Sequence, residues 1–168
     1  MKNGAITLVL AAAIVALAAC GSDDATAPVS KIVAFKATLT PSGEVPPTTS
    51  SGSGTFTATL DTSTNIFTYD VTFAGLTTNV TIGHIHGPSL ATATAGAILN
   101  FGTLPGATFT TGATSGTAHG QVTFTSATIG GGVSGDSLKK LLFAGLTYAN
   151  IHTTANGGGE IRGQITKQ

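Results

Sequence analysis

The stretch Phe67-Thr-Tyr-Asp-Val-Thr-Phe73 places Phe67, Tyr69, Val71 and Phe73 on one side of an extended backbone and Thr68, Asp70 and Thr72 on the other. Side chains alternate across a strand with a period of two, so this reads as a strand with one buried face and one wet face. The pattern recurs on both sides of it. Val33, Phe35, Ala37 and Leu39 alternate with Ala34, Lys36 and Thr38. Phe56, Ala58 and Leu60 alternate with threonines, and Val122 and Phe124 alternate with Gln121, Thr123 and Thr125. Asp61-Thr-Ser-Thr-Asn65 lies between two of these runs and reads as a hairpin loop. One short helix is expected near 137–143, with Asp136 or Ser137 as N-cap and Gly145 as the stop. Many short strands with Gly- and Thr-rich punctuation imply an all-β, Greek-key-like antiparallel sandwich.

Phe73-Ala-Gly-Leu-Thr77 recurs as Phe143-Ala-Gly-Leu-Thr147. Each copy leads into a segment that ends in histidine, His84-Ile-His86 and Asn150-Ile-His152. The echo reads as two similar β-arches meeting in one sandwich. On a strand, His84 and His86 share a face with Val80 and Ile82, their Cα atoms about 6.5 Å apart. His152 shares parity with Leu146, Tyr148 and Asn150. If the two echoing strands are neighbours, three imidazoles converge, a donor set suited to copper or zinc. The competing reading is a turn, because Gly83, Gly87 and Pro88 flank the pair and the imidazoles could cap backbone groups. His119 is on the wet face with Gln121 and Thr123 and stays outside the set. Near the C-terminus, Glu160, Arg162 and Gln164 share one face, opposite Ile161 and Ile165. Arg162 is the chain's single Arg, and a structural ion pair with Glu160, or with Glu44, is expected. No catalytic constellation is recognisable, so no catalytic residue is assigned.

At the N-terminus, Lys2 precedes an uncharged run from Ala5 to Ala19, fifteen residues, too short for a bilayer span of about 20. The run closes in Leu17-Ala-Ala-Cys20-Gly21, which resembles the lipobox of bacterial lipoproteins. That resemblance implies a signal peptide over 1–19, lipidation at Cys20, a tether over 20–31 and a domain over 32–168. It further implies an extracytoplasmic, membrane-anchored protein. Gly rather than Asp at 21 favours the outer membrane where the cell has two. Cys20 is the chain's single Cys, so no disulfide staples the domain. Seven Lys+Arg balance seven Asp+Glu, which excludes a strongly basic nucleic-acid binder and leaves the membrane link to the lipid rather than to charge.

Four blocks in order carry a further resemblance. They are Phe35-Lys-Ala-Thr-Leu-Thr-Pro-Ser-Gly-Glu44-Val-Pro-Pro47, Gly83-His-Ile-His-Gly-Pro88, Tyr148-Ala-Asn-Ile-His152-Thr and Gly159-Glu-Ile-Arg-Gly-Gln-Ile165. Together they resemble the CHRD (chordin) domain over roughly 32–166. The resemblance implies an extracellular sandwich module, immunoglobulin-like or superoxide-dismutase-like in build, found repeated in chordin and singly in exported bacterial proteins. It implies no established activity. The His-x-His strand also resembles that of copper–zinc superoxide dismutases. This chain departs from them in having four His in all, where those enzymes use a larger His set and an Asp. Three functional expectations follow: a non-enzymatic binding or envelope module, with a protein partner possible; a copper or zinc protein using His84, His86 and His152; and a dismutase-like oxidoreductase.

Overall fold

The computed structural model describes Met1 and residues 31–168; Cys20, the apolar run before it and most of the expected tether lie outside the described residues. The chain forms β1 (Ile32–Leu39), β2 (Ser53–Asp61), β3 (Ile66–Ala74), β4 (Val80–His86), β5 (Ala97–Asn100), β6 (Thr108–Phe109), β7 (Gly116–Thr123), β8 (Thr128–Gly130) and β9 (Val133–Ser134). There follow α1 (Gly135–Phe143), β10 (Tyr148–Thr153), β11 (Ile161–Gln164) and β12 (Thr166–Lys167). Two antiparallel sheets, ordered β12-β1-β2-β3-β7-β6 and β11-β10-β4-β5, form the sandwich, with β8-β9 as a separate ribbon. The chain leaves the larger sheet after β3, builds β4 and β5 in the smaller one, and returns so that β7 pairs with β3. Among the described residues no helix is long and apolar enough to cross a membrane.

The alternation read from the sequence is the burial observed. Phe35, Leu39, Phe56, Leu60, Phe67, Tyr69 and Val71 are at most 1 % exposed and join Ile85, Phe101, Ile151 and Ile161 in one core. Phe67 and Phe124 stack with centroids 4.9 Å apart. The Thr-rich sides of β1, β2, β3 and β7 face solvent in register, with Thr38 opposite Thr55, Thr55 opposite Thr72 and Thr72 opposite Thr117. In the hairpin loop, Asp61 accepts from the Ser63 amide (2.9 Å) and Asn65 takes φ 58°.

Two local expectations are corrected. The helix starts earlier than expected, with Ser134 as N-cap accepting from the Ser137 amide at 3.2 Å. Gly135 opens the first turn because a Cβ there would meet Thr125 N at 2.6 Å and Phe124 Cα at 2.7 Å. The repeated Phe-Ala-Gly-Leu-Thr segments keep the same turn, with φ 67° at both Gly75 and Gly145, but not the same element before it. Phe73 lies within strand β3, one residue before its end, and is buried, whereas Phe143 ends α1 and is 41 % exposed, so the second copy is not a β-arch.

The expected Glu160–Arg162 ion pair is not formed. Glu160 sits at the end of the sandwich, where its carboxylate accepts from Ser50 Oγ, the Thr77 amide, Thr153 Oγ1 and Asn156 Nδ2. Arg162 points instead across the outer face of the smaller sheet. The end of the strand explains the split: Arg162 lies within β11, while Glu160 precedes it, escapes the alternation that would place both on one face, and turns towards the loops. Burial alone would raise the Glu160 pKa, but these four donors hold it at about 2, against an ordinary 4.5. Its stabilising contribution is therefore complete above pH 4.5 and lost as pH falls through 2. Glu44 behaves in the opposite sense. Burial pushes it up to about 7, with Arg162 and Asn150 opposing, so its contribution fades as pH rises from 4.5 through 7. In urea unfolding, Glu160→Gln should cost about 3 kcal/mol at pH 7 and little near pH 2. Glu44→Gln should gain about 2 kcal/mol over the parent at pH 8 and nothing at pH 4.

Candidate metal centre

The fold brings the two echoing strands together, and the histidine segments are strand rather than turn. β10 pairs antiparallel with β4, with Tyr148 opposite His86, Asn150 opposite His84 and His152 opposite Ile82. The register then shifts, so that Thr153 faces Val80 and Thr81 is an extra residue on β4. This bulge corrects the expected face. Val80 turns into the core at 2 % exposure, while Ile82, at 37 %, shares the outer face with His84 and His86. Gly83 and Ile85 are buried on the core side. Gly83 is required there, because a Cβ would meet Phe101 Cδ2 at 2.7 Å and Ile151 Cδ1 at 2.8 Å.

One potential ligand atom from each of His84, His86 and His152 lies within 4.8 Å of the others. His86 and His152 are each 8 % exposed, and His84 is half-buried, so the group opens to solvent on the His84 side. Backbone carbonyls orient two of the rings. His86 Nδ1 is 2.9 Å from Ala95 O and His152 Nδ1 is 3.0 Å from Gly157 O. A carbonyl only accepts, so each Nδ1 carries the proton and each Nε2 presents a lone pair. Such an outer bond is what fixes a ligating imidazole's tautomer and raises its basicity. His84 Nδ1 stands 3.0 Å from His152 Nε2, so the proton between them belongs to His84. His86 Nε2 is buried without a hydrogen-bond partner of good geometry.

Electrostatics keeps the three rings neutral. Burial pulls His84 down to about 4, and its two neighbouring imidazoles add to the effect. His86 and His152 are also lowered by burial, against the opposing pull of their carbonyl partners. Neutral imidazoles are the ligating form, so the site needs no deprotonation near pH 7. His119 stays apart, on the wet face expected of it, 2.8 Å from Asp70.

Sequence reading missed the surroundings of the site. The Tyr148 ring lies parallel to His86 (centroids 4.8 Å apart, interplanar angle 1°), and the Arg162 guanidinium carbon sits 3.4 Å from the Tyr148 centroid. Tyr148 Oη lies 3.3 Å from both N and O of Ala95. Arg162 donates to Leu90 O at 3.2 Å and Ala93 O at 2.8 Å, while Gln164 Nε2 donates to Ser89 O at 2.9 Å. The segment after β4 is thereby strapped over the outer face of the smaller sheet. Parity places Tyr148 and Asn150 beside His152, but no sequence signal announces the carbonyls of Ala95 and Gly157.

The family model of the CHRD domain matches residues 35–165. No curated protein and no solved structure matches the chain.

Arg162→Ala leaves the Leu90–Ala93 carbonyls and the Tyr148 ring without their partner. It is expected to lower stability by about 3 kcal/mol in urea unfolding and to speed hydrogen exchange at the Ala93 and Ala95 amides.

Proposed function

This chain belongs to the CHRD domain family, and on that premise we propose that it is an exported, lipid-anchored metal-binding module that holds copper or zinc on His84, His86 and His152. The observation that carries the reading is the convergence of three neutral imidazoles, two of them already oriented by backbone carbonyls. Three nitrogen donors without a carboxylate suit copper or zinc rather than calcium or magnesium. A bound ion takes the place of the proton that His84 Nδ1 directs at His152 Nε2. The His84 proton would then pass from Nδ1 to Nε2, and the ring would stay neutral in its other tautomer. Three protein donors leave a fourth position free on the half-exposed His84 side, where water or a partner's donor can enter.

The reading is of a binding module rather than an enzyme. Among the described residues no nucleophile–base pair accompanies the histidines, and the nearby buried charge, Arg162, is engaged in holding a loop. Export and anchoring rest on Leu17-Ala-Ala-Cys20, with the outer membrane as destination where the cell has one.

Titration of the full-length protein should show one Cu(II) or Zn(II) per chain, with a rise in thermal midpoint as metal is added. His84→Ala, His86→Ala and His152→Ala should each weaken uptake more than tenfold. Uptake by all three variants equal to the parent's, or none by the parent, overturns the metal reading. Mass spectrometry of the protein purified from cells should find residue 20 as a lipidated N-terminus, and Cys20→Ala should leave the chain unprocessed. An unmodified Cys20 in the mature protein overturns the anchor.

A further inference from the structure

The chain's charge looks sparse and scattered in sequence, but folding sorts it. Five of the six cationic residues described are lysines: Lys31, Lys36, Lys139, Lys140 and Lys167. They gather on the end of the sandwich built from the start of β1, the loop between β2 and β3, helix α1 and β12. Lys31 O accepts from the Thr62 amide at 3.0 Å, which ties the first described residues to that loop. Lys139 Nζ donates to Asn65 Oδ1 of the same loop at 2.7 Å, which brings α1 to it. Lys167 Nζ lies 5.5 Å from the centroid of Phe143, whose ring also packs edge-on against Phe35 at 5.6 Å. Lys36 projects from β1 opposite Thr166. Two of the large apolar side chains left exposed, Ile32 at 57 % and Phe143 at 41 %, belong to this end.

The carboxylates do not cancel these lysines. Glu44 and Glu160 are buried at the opposite end, and Asp70 is engaged with His119. Asp61 and Asp136 remain at the lysine end, and Asp23 and Asp24 stand in sequence between Cys20 and Lys31, so five lysines face four carboxylates there. The result is an exposed patch of net positive charge with an aromatic at its centre, beside the point where the preceding chain enters the domain.

We propose that this end is a membrane-docking face that seats on anionic lipid headgroups, with Phe143 at the interface and the lysines around it. This rests on the anchor reading of Cys20 for its proximity. Lys31 stands eleven positions after Cys20, so it lies within about 40 Å of the lipid however that segment is arranged. Lysines near an anionic surface add attraction over about a Debye length, 8–10 Å, and an amphipathic ring beside them sits well at the headgroup boundary. Docked this way, the domain holds its histidine group, which faces out from the other sheet near the Gly157 loop, away from the bilayer.

The chain contains no Trp, so Phe143→Trp reports this face alone and Ile82→Trp, beside His152, reports the distant one. The full-length, cell-processed protein is floated with phosphatidylcholine vesicles, with and without phosphatidylglycerol, each doped with brominated lipid as quencher. Flotation on neutral vesicles reads the anchor; quenching of Phe143→Trp reads the docking. The expected result is quenching of Phe143→Trp on the anionic vesicles only, none for Ile82→Trp, and loss of quenching at about 1 M salt, where the Debye length is about 3 Å. Lys31→Glu, Lys140→Glu and Lys167→Glu together should weaken docking by at least about a hundredfold. Equal quenching on both vesicle types, or no effect of the three reversals, overturns the docking face. Failure to float on neutral vesicles overturns the anchor alone, because docking is still read on the anionic ones. Binding to duplex DNA in place of either vesicle would also overturn the docking face.

Discussion

Two buried charges of opposite sign, Glu160 and Arg162, stand two residues apart and do not pair. Each is neutralised by dipoles instead, and the loops of the smaller sheet are placed by that requirement. A desolvated charge is costly unless nearby dipoles compensate it; Arg162 is compensated through Nη2 and the Tyr148 ring, its Nη1 being buried without a partner. Glu160 collects donors from the loop before β2, the entry to β4 and the end of β10, and so closes one end of the sandwich. Arg162 collects carbonyls from the segment after β4 and stacks on Tyr148, and so closes the outer face of the smaller sheet. Without disulfides among the described residues, these two polar hubs do the tying that covalent staples do in many exported domains.

The histidine group depends on that closure. Arg162 holds the loop that carries Ala95, and Ala95 O orients His86. Tyr148 is shared, with one ring face towards the guanidinium and the other stacked on the imidazole. The bulge at Thr81 supplies the remaining condition. It lets Val80 turn into the core while Ile82, His84 and His86 stay outside, so the strand satisfies the core and the site at once. Burial then does the electrostatic work, since a desolvated imidazole resists protonation and keeps its lone pair.

The molecule is polar along its length. The lysines and the entry of the chain lie at one end, and the buried carboxylates and the Gly157 loop lie at the other. A net charge of zero conceals this, because two carboxylates and one guanidinium are taken out of the surface by burial.

Period-two patterning settled β1, β2 and β3 of the larger sheet, because each of them has one face in the core and one in water, while it caught only the end of β7 and none of β6 or β12. Phe67, Tyr69, Val71 and Phe73 could be read in no other way. It also put His84 beside His86 and gave His152 the parity to join them. The pairing of β10 with β4 is a non-local contact, and only the assembled sheet decides it. The smaller sheet misleads a pattern reading because its outer face is also covered, so every residue of β10 is buried and alternation vanishes. Val80 shows the same limit: a one-residue bulge inverts parity and leaves no trace in composition. The partners of Arg162 are backbone carbonyls, which every residue carries and no sequence marks. The sequence by itself determined which residues must hide and which imidazoles could meet; the tertiary structure decided what each buried charge leans on, because a dipole's direction exists only once the chain is folded.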